Sequence, residues 1–319
     1  MVCCFFAFVV VFLLLPLYYA LRYLWELLPV GNLRKKAVFI TGCDSGFGRT
    51  LAIKCAENGM HVFAGCLTEQ GAKSIEADGR SMKGIKKAVD FVKKRLEPGI
   101  SLWAVVNNAG IFATYGPDDW CSIEDYKLAL DINTSPRIAG VRMVQLYSVK
   151  QQSKGRIISV TSVAGRVSLP YTGPYSVGKF ASEAYMDCIR YELKPFGVTC
   201  CILEPGVFKT TLVNRDAMKK RINGAWNKLT EEQREDYGVA FKDSFCCTLE
   251  RSFQRSEFGA CRVCGRQLLS RDNSAFSTLS LSLRLGCVVV LHTDYIFSDR
   301  DCRFSHEISL RSKNEASCS

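Results

Sequence analysis

Histidine is scarce in this chain, and no run of one charge is long enough to form a basic arm. Only three of the 319 residues are histidine, and none of them lies among other ligand-type residues at metal-binding spacing. The formal net charge is +11, but the basic clusters are no longer than Arg34–Lys36 and Lys93–Arg95. The first follows an apolar segment, and the second lies in a helical pattern. These absences argue against a nucleic-acid-binding protein and against a histidine-based metal site.

Cysteine, in contrast, is abundant, with 16 residues. In a short secreted chain this number would predict a disulfide framework. Several of these cysteines instead lie in apolar runs, such as Cys200 and Cys201 before Ile202, which is typical of buried free thiols in a reducing compartment. Cys261 and Cys264 form a single CxxC pair without a second pair at zinc-binding spacing. No metal site is therefore predicted.

The first thirty residues are strongly apolar. No charged residue occurs between Val2 and Leu21, and tyrosine and tryptophan follow at the end of the run. About twenty apolar residues can span a bilayer as a helix, and aromatic side chains are common at the interface. A cleaved signal peptide is the alternative, but a charged n-region and a clear small-residue cleavage site are lacking. Residues 1–28 are therefore predicted to form a transmembrane helix, and the basic residues after it place the remainder in the cytosol.

Strand-like and helical patterns alternate from Lys36 onwards. Strands are predicted at Lys36–Thr41, His61–Cys66, Leu102–Val106, Arg156–Val160 and Val198–Leu203, and helices at Arg49–Asn58, Ser81–Leu96, Ser176–Leu193 and beginning over Tyr126–Ile132. This alternation predicts an α/β domain with a parallel sheet over residues 33–250. Residues 251–319 show weak periodicity and are predicted to be an atypical, partly disordered tail, in which only the apolar run Cys287–Leu291 could form a strand.

A glycine-rich turn joins the first strand to the first helix of this domain. Thr41–Gly48 reads TGCDSGFG. Glycines in such a turn let the backbone approach a pyrophosphate, while the helix N-terminus supplies N–H donors. The turn is therefore predicted to bind a dinucleotide through Gly42, Asp44, Ser45, Gly46, Phe47 and Gly48.

Tyr175 and Lys179 lie four residues apart in a predicted helix and therefore share a face. A neighbouring ammonium favours the phenolate form of a tyrosine, which can exchange a proton with an alcohol while hydride leaves its carbon. Ser162 follows a predicted strand, where its hydroxyl can hydrogen-bond the reacting oxygen. Asn107–Gly110 reads NNAG at the end of another strand, and Asn133 lies in the next helix. Each feature alone is also common in ordinary turns and helix surfaces.

Together and in this order, the motifs resemble the short-chain dehydrogenase/reductase family over about residues 36–245. Thr41–Gly48, Cys66–Thr68, Gly116–Trp120 and Glu204–Phe208 are similar to the retinol dehydrogenase and 17β-hydroxysteroid dehydrogenase branch. Trp226, Leu229, Tyr237 and Gly238 resemble the substrate-side region of that branch. The resemblance implies a Rossmann-type, doubly wound parallel sheet and a nicotinamide-dependent oxidoreductase.

The resemblance also implies individual roles. Tyr175 would donate or accept the proton, and Lys179 would hold the nicotinamide ribose. Ser162 would orient the substrate oxygen, and Asn133 would belong to the proton relay. The cofactor would also contact Asn107, Ala109, Gly110, Tyr175, Lys179, Pro205 and Gly206. Retinoids or steroids are the implied substrates and the endoplasmic reticulum membrane is the implied location, while a homodimer is left open.

Two features depart from the family. A third strand belongs between Thr68 and the helix predicted from Ser81, but none is identifiable, so the sheet is expected to lack this edge strand and to leave the adenine pocket open on one side. After about residue 250, nothing matches the family's last elements. An inactive membrane-bound pseudoenzyme or truncated isoform with impaired cofactor binding is therefore the alternative hypothesis.

Cofactor choice is not decided by the end of the second strand. A carboxylate there would favour NAD and an arginine would favour NADP, whereas the chain has Cys66. The resemblance to the retinol and hydroxysteroid branch favours NAD, and NADP stays open.

Overall fold

The structure of the protein is a computed structural model that describes residues 10–27, 31–76, 80–83, 91–92, 94–135, 155–206 and 210–255. Its centre is a six-stranded parallel sheet in the order β3-β2-β1-β4-β5-β6. The strands are β1 Lys36–Thr41, β2 His61–Cys66, β3 Arg80–Lys83, β4 Ser101–Asn107, β5 Arg156–Val160 and β6 Thr199–Leu203. The reversal of strand order between β1 and β4 creates the crevice in which doubly wound folds bind their ligands.

The helices cover the sheet or follow it in the chain. They are α1 Leu15–Leu27, α2 Gly46–Glu57, α3 Glu69–Glu76, α4 Ile123–Asn133, α5 Gly173–Leu193, α6 Arg215–Lys228 and α7 Glu231–Arg255. The last helix is kinked at Gly238, whose φ of 74° is non-helical. These positions confirm the predicted α/β class with a parallel sheet.

The apolar strands are buried because helices cover both faces of the sheet. Along β1, Val38 and Ile40 face one core with Leu51 of α2. Ala37 and Phe39 face the opposite core, which also holds Met186, Ile189 and Leu193 of α5. The alternation follows from the two-residue period of a strand. Because both faces of the sheet are packed, β1, β4 and β5 lie between two apolar layers.

Several element bounds agree with the sequence predictions. β1, β2 and β5 begin and end at the predicted residues. α5 begins at Gly173 rather than at Ser176, because Pro174 occupies its first turn, where the missing N–H of proline costs nothing. Likewise, α2 begins at Gly46 rather than at Arg49. The helix therefore opens inside the glycine-rich turn.

The expected absence of a third strand is wrong. β3 pairs in parallel with β2, with Phe63 opposite Arg80 and Cys66 opposite Lys83. Residues 67–79 connect the two strands, which meets the dozen or so residues that a crossover needs, and the eight-residue α3 lies within them. The sequence of β3 is RSMK, which lacks an apolar run because an edge strand has a neighbour on one side only. The helix predicted from Ser81 therefore begins too early.

The N-terminal helix α1 contains 13 residues and follows a π-helical turn at Val10–Leu14. A bilayer-spanning helix needs roughly 20 residues, and none of the helices in the described ranges is long and apolar enough to cross a membrane. The transmembrane helix expected over residues 1–28 is thus not found among the described residues, and residues 1–9 and 28–30 lie outside them.

The predicted tail and the expected strand at residues 287–291 also lie outside the described residues, because the description ends with α7 at Arg255. Within the described ranges the cysteines are free, and most of them are buried, including Cys200 and Cys201. The prediction of buried free thiols is confirmed for this part of the chain.

Candidate active site

The turn after β1 is shaped by glycines that could not carry a side chain. Gly42 has a φ of 71°, and a Cβ added to it would lie 2.8 Å from the Cα of Ala109. A Cβ on Gly48 would collide with the carbonyl oxygen of Gly42 and would lie 2.5 Å from Nδ2 of Asn108. The turn can therefore pack directly against the end of β4. Ser45 is the N-cap of α2 but makes no side-chain cap bond, which leaves backbone N–H groups of this helix end available for an anion.

Asn108 and Thr41 lock that turn to β4. The Nδ2 of Asn108 donates to the carbonyl oxygens of Thr41 and Gly42, both at 3.0 Å. The Thr41 hydroxyl accepts from the backbone N–H groups of Asn108 and Ala109, also at 3.0 Å. Neither side chain was predicted as a site residue. Their position within TGCDSGFG and NNAG was the available signal, but the sequence could not show that these two motifs touch.

The neighbouring Asn107 is different. Its side chain is 2% exposed, and within the described residues neither its Oδ1 nor its Nδ2 has a hydrogen-bond partner. Buried amides are normally satisfied. An unsatisfied amide at the carboxyl end of β4, beside the glycine-rich turn, is what a site for a polar ligand would contain.

Asp44 and Ser45 fasten the turn to two other segments. The Asp44 carboxylate accepts from the backbone N–H groups of Leu67 and Thr68, both at 2.8 Å, and from the Thr68 hydroxyl at 2.7 Å. Burial opposes its ionisation, but these hydrogen bonds together lower the pKa of Asp44 below its ordinary value. The Ser45 hydroxyl lies 2.6 Å from that of Thr211. Phe47 packs against the core instead of standing free in the turn.

Tyr175 and Lys179 lie side by side in α5. Both are buried, with 8% and 3% of their surfaces exposed. Lys179 Nζ lies 5.5 Å from the centroid of the Tyr175 ring and donates to the carbonyl oxygen of Val160 at 3.3 Å. A buried ammonium near a phenol stabilises the phenolate. The structure therefore brings together the two residues that the sequence predicted for proton transfer.

Asn133 ends α4 and is fully buried. Its Oδ1 accepts from the backbone N–H of Ile111 at 2.9 Å, and its Nδ2 donates to the carbonyl oxygen of the same residue at 3.1 Å. A Cβ on Gly110 would lie 3.0 Å from Asn133 Oδ1 and 3.4 Å from Lys179 Nζ. Asn133, Gly110 and Lys179 therefore converge, and the Asn133 amide fixes the chain that follows NNAG.

Ser162 lies in the turn after β5. Its hydroxyl donates to the carbonyl oxygen of Pro205 at 3.4 Å and accepts from the backbone N–H of Ala164 at 3.2 Å. The N–H of Val163 donates to the same Pro205 carbonyl at 3.2 Å. The Ser162 turn is therefore tied to the segment Pro205–Gly206 after β6. Gly206 is the last described residue before residues 207–209, which lie outside the described part.

An ionic cluster behind this turn was missed by the sequence analysis. Arg166 forms salt bridges at 3.0 Å with Glu183 of α5 and with Glu204 after β6. Burial, together with the nearby carboxylates of Glu204 and Asp187, raises the pKa of Glu183 to about 7 against the lowering effects of the Thr161 hydroxyl and of Arg166. The cluster joins the Ser162 turn, the helix that carries Tyr175, and the Pro205 segment.

An aromatic wall borders Tyr175. The ring of Phe112 stacks on that of Tyr175, with centroids 4.4 Å apart and planes 15° apart. Tyr115 lies 5.9 Å from Phe112, and Phe245 of α7 lies 5.4 Å from Tyr115. Phe245 in turn lies 6.0 Å from Trp120. The substrate-side residues named from the sequence belong to this region, because Trp226 and Leu229 pack in one apolar cluster with Trp120, and Tyr237 lies against it.

The comparisons with known proteins agree with this geometry. Residues 36–221 match the family described as short chain dehydrogenase, and the protein belongs to this family. It is 44% identical over 229 residues to 3beta-hydroxysteroid dehydrogenase dhs-16 of Caenorhabditis elegans, covering 66% of this chain but only 58% of that protein. It is 38% identical over 250 residues to retinol dehydrogenase 7 of Rattus norvegicus, covering 74% of this chain and 77% of that protein.

A solved structure supports the fold. A short chain dehydrogenase/reductase from Burkholderia phymatum, in complex with NAD, superposes with a TM-score of 0.55 at 24% sequence identity, covering 70% of this chain and 81% of that one. At this identity the likeness shows the fold alone. The Rossmann-type sheet is thus confirmed, and the resemblance to the short-chain dehydrogenase/reductase family with its retinol and hydroxysteroid branch is confirmed by the sequence relatives.

Proposed function

We propose that this protein is a nicotinamide-dependent alcohol dehydrogenase that acts on an apolar substrate, a steroid or a retinoid. The observation that carries the proposal is the pairing of Tyr175 with Lys179, both buried beside an aromatic wall. A buried tyrosine and lysine at this distance can move a proton to or from an alcohol. The wall supplies the apolar surface that a lipid-like substrate requires.

The protein's own residues account for the proton and for orientation. In oxidation the Tyr175 phenolate accepts the proton of the substrate hydroxyl, and in reduction the phenol returns it. The Lys179 ammonium stabilises the phenolate, and its hydrogen bond to the Val160 carbonyl holds it in place. The Ser162 hydroxyl, fixed by Pro205 and Ala164, donates to the substrate oxygen after turning from Pro205. Asn133 takes part in the relay as a positioning residue.

The residues present fit a dinucleotide. The glycine-rich turn is a cradle that Cβ atoms at Gly42 and Gly48 would fill, and the buried amide of Asn107 has no partner among the described residues. The turn and the N-terminus of α2 would hold the pyrophosphate, whereas Asn107, Ala109, Gly110 and the Pro205–Gly206 segment would line the rest of the site. When bound, the nicotinamide cofactor supplies the hydride acceptor or donor.

Asp44 supports NAD over NADP as this cofactor. Its carboxylate is fixed at the end of β2 by Leu67 and Thr68, where doubly wound folds bind the adenosine ribose. A carboxylate there tolerates a ribose hydroxyl and repels a 2′-phosphate. Cys66, the last residue of β2, is buried and carries no charge that would distinguish NAD from NADP.

The substrate class is proposed from the relatives and the wall. One relative is named as a 3beta-hydroxysteroid dehydrogenase and another as a retinol dehydrogenase, and the aromatic wall suits either lipid. The test is turnover of all-trans-retinol and of 3β- and 17β-hydroxysteroids by the purified full-length protein with NAD⁺ and with NADP⁺, followed by absorbance of the reduced cofactor. Turnover that disappears in Tyr175→Phe is expected, and no turnover in the whole panel would contradict the proposal.

Membrane association of the N-terminal segment, with the catalytic domain facing the cytosol at the endoplasmic reticulum, is part of the proposal. Its support is a stripe of leucines, of which Leu13, Leu17, Leu21 and Leu24 each expose more than half of their surface. Exposed apolar side chains in such number favour a lipid environment. Deletion of residues 1–28 is expected to release the protein from sedimenting membranes, and continued sedimentation would reveal another attachment.

A homodimer through α5 is also proposed. Val177, Phe180 and Tyr191 are apolar or aromatic residues that this helix leaves exposed, and their spacing places them along one helical stripe. Val177→Glu is expected to convert the purified protein from dimer to monomer in light scattering. An unchanged molar mass would show that α5 does not form the dimer interface.

The alternative of an inactive relative with an impaired cofactor site rested on two observations. The first, a missing third strand, is wrong because β3 is present. The second concerns residues beyond 250, most of which lie outside the described part. The proposal of an active enzyme therefore has the stronger support.

A further inference from the structure

Arg221 places a positive charge on the apolar face of α6. Met218, Ile222 and Ala225 are buried on this face, and Arg221 lies three residues after the first and four before the last, on the same side of the helix. The other basic residues of the helix that follow Met218, namely Lys219, Lys220 and Lys228, are exposed to solvent. Arg221, in contrast to these three lysines, is partly buried.

No negative charge compensates Arg221 in the described part of the chain. Its Nη1 donates to the carbonyl oxygen of Leu212 at 3.0 Å and lies 3.3 Å from the sulfur of Met218. Burial lowers the pKa of its guanidinium below the ordinary value. Arg166 shows the contrast, because two carboxylates at 3.0 Å raise the pKa of that guanidinium although burial opposes them. A guanidinium has five N–H donors, so most donors of Arg221 have no acceptor among the described residues.

The charge lies beside the catalytic tyrosine. The guanidinium carbon of Arg221 is 5.6 Å from the centroid of Phe112, and the ring of Phe112 stacks on Tyr175 at 4.4 Å. One phenyl ring therefore separates the cation from the ring that exchanges the proton. Phe112 is itself only partly buried, so ligand atoms can reach this part of the wall.

We infer that Arg221 binds an anionic oxygen group of the substrate, such as a carboxylate, remote from the carbon that reacts. A partly desolvated cation without a carboxylate gains most from an anion, and the planar guanidinium suits the two oxygens of a carboxylate. The inference rests on the proposed function and narrows it. The substrate is an apolar hydroxy or oxo acid whose body lies on the aromatic wall and whose acidic end contacts Arg221.

The cofactor pyrophosphate is the other anion in such an enzyme, but the structure favours the substrate. The pyrophosphate belongs at the glycine-rich turn, where Ser45 is bonded to Thr211 and where Thr210 lies 3.9 Å from the Cβ position of Gly46. Arg221 contacts the ring stacked on Tyr175 and makes none of its contacts with that turn. The test must therefore separate an effect of Arg221 on cofactor binding from an effect on substrate binding.

The test compares 3β-hydroxy-5-cholenoic acid with its methyl ester, which share the reacting hydroxyl and differ in one charge. The variants are Arg221→Met, which keeps the stem and removes the charge, and Lys220→Met as the matched control at an exposed position. Arg221→Met is expected to lower kcat/KM for the acid about ten- to a hundredfold, mainly through KM, because a charge-assisted hydrogen bond is lost. The ester and the Lys220→Met control are expected to change by no more than about twofold.

Binding is measured separately, from quenching of tryptophan fluorescence by the acid, by the ester and by NAD⁺ alone. If neither these compounds nor the retinol and hydroxysteroid panel turn over, but the acid binds wild type more tightly than Arg221→Met, the proposed function fails while Arg221 is still shown to bind the anionic group. If both compounds turn over and Arg221→Met lowers kcat/KM equally for the acid and the ester, or changes neither value, the function stands and the inference is overturned. Weaker binding of NAD⁺ by Arg221→Met, with the acid-to-ester ratio unchanged, would also overturn it in favour of a cofactor contact.

Discussion

The two sides of the sheet hold their functional residues in different ways. On the β4-β5-β6 side, Asn133, Ser162, Tyr175 and Lys179 are buried and tied to backbone groups on several elements. On the β2-β3 side, the sheet ends in a four-residue edge strand. The Asp44 carboxylate there accepts from the backbone of Leu67 and Thr68, and Leu67 is 86% exposed. The comparison teaches that the residues proposed for proton transfer are held by the core, whereas the proposed adenosine end is held by hydrogen bonds to one short exposed segment.

The largest effect is expected in the core of the catalytic side. Tyr175→Phe should lower kcat by about a thousandfold, in the range observed for loss of a general acid or base, because the hydroxyl that exchanges the proton is removed. Tyr191→Phe on the same helix is the matched control, since Tyr191 is exposed. Both variants should keep the thermal midpoint of the wild type. If Tyr175→Phe is nearly as active as Tyr191→Phe, Tyr175 does not exchange the proton.

A second expectation concerns the glycine-rich turn, where the two sides meet. In Gly48→Ala the new methyl group collides with the Gly42 carbonyl and with the Asn108 side chain. Forced shifts in a packed site destabilise by about 1–3 kcal/mol, so the midpoint of denaturant unfolding should fall and NAD⁺ affinity should fall with it. Gly224→Ala in α6 is the control, because nothing lies within 4 Å of its Cβ position and alanine is the better helix former. Equal behaviour of the two variants would contradict the close packing.

A smaller and more selective effect is expected at the adenosine end. Asp44→Asn keeps the shape of the side chain but removes the charge, so the preference for NAD⁺ over NADP⁺ should fall by about tenfold, equivalent to roughly 1.4 kcal/mol. The measurement is the ratio of kcat/KM for the two cofactors with one substrate. Thr50→Val is a suitable control because its hydroxyl bonds only within α2, to the Gly46 carbonyl. An unchanged ratio in Asp44→Asn would show that the carboxylate does not contribute to the choice.

A gradual, pH-dependent effect is expected from the buried ionic cluster. Because the pKa of Glu183 is raised from 4.5 to about 7 in the folded protein, the folded state binds more protons than the unfolded state between these values. Stability should therefore fall as pH rises through this window, by at most about 1.4 kcal/mol per pH unit from this group. Glu183→Gln should flatten that part of the stability profile, measured by urea unfolding between pH 4.5 and 8. If the profile of Glu183→Gln is as steep as that of the wild type, the pH dependence of stability comes from other groups.

The sequence predicted the parts of the fold that leave a strong local pattern. Apolar runs defined β1, β2 and β5, and the spacing of Tyr175 and Lys179 predicted a shared helix face that the structure confirms. β3 was missed because RSMK carries no apolar alternation, and an edge strand needs none. Phe112, Arg166 and Arg221 were also missed, because their importance comes from contacts between distant segments that no spacing in the chain encodes.

The central claim is that the complete sheet and its glycine-rich turn form a working nicotinamide site. The most direct measurement is calorimetric titration of NAD⁺ and NADP⁺ into the purified full-length, detergent-solubilised protein, with Gly48→Ala as the control for the turn. The account predicts one site per chain with a Kd on the order of micromolar for NAD⁺, weaker binding of NADP⁺, and loss of both signals in the variant. If the folded wild type binds neither NAD⁺ nor NADP⁺, the account is contradicted, and Tyr175 and Lys179 have no bound cofactor with which to catalyse a reaction.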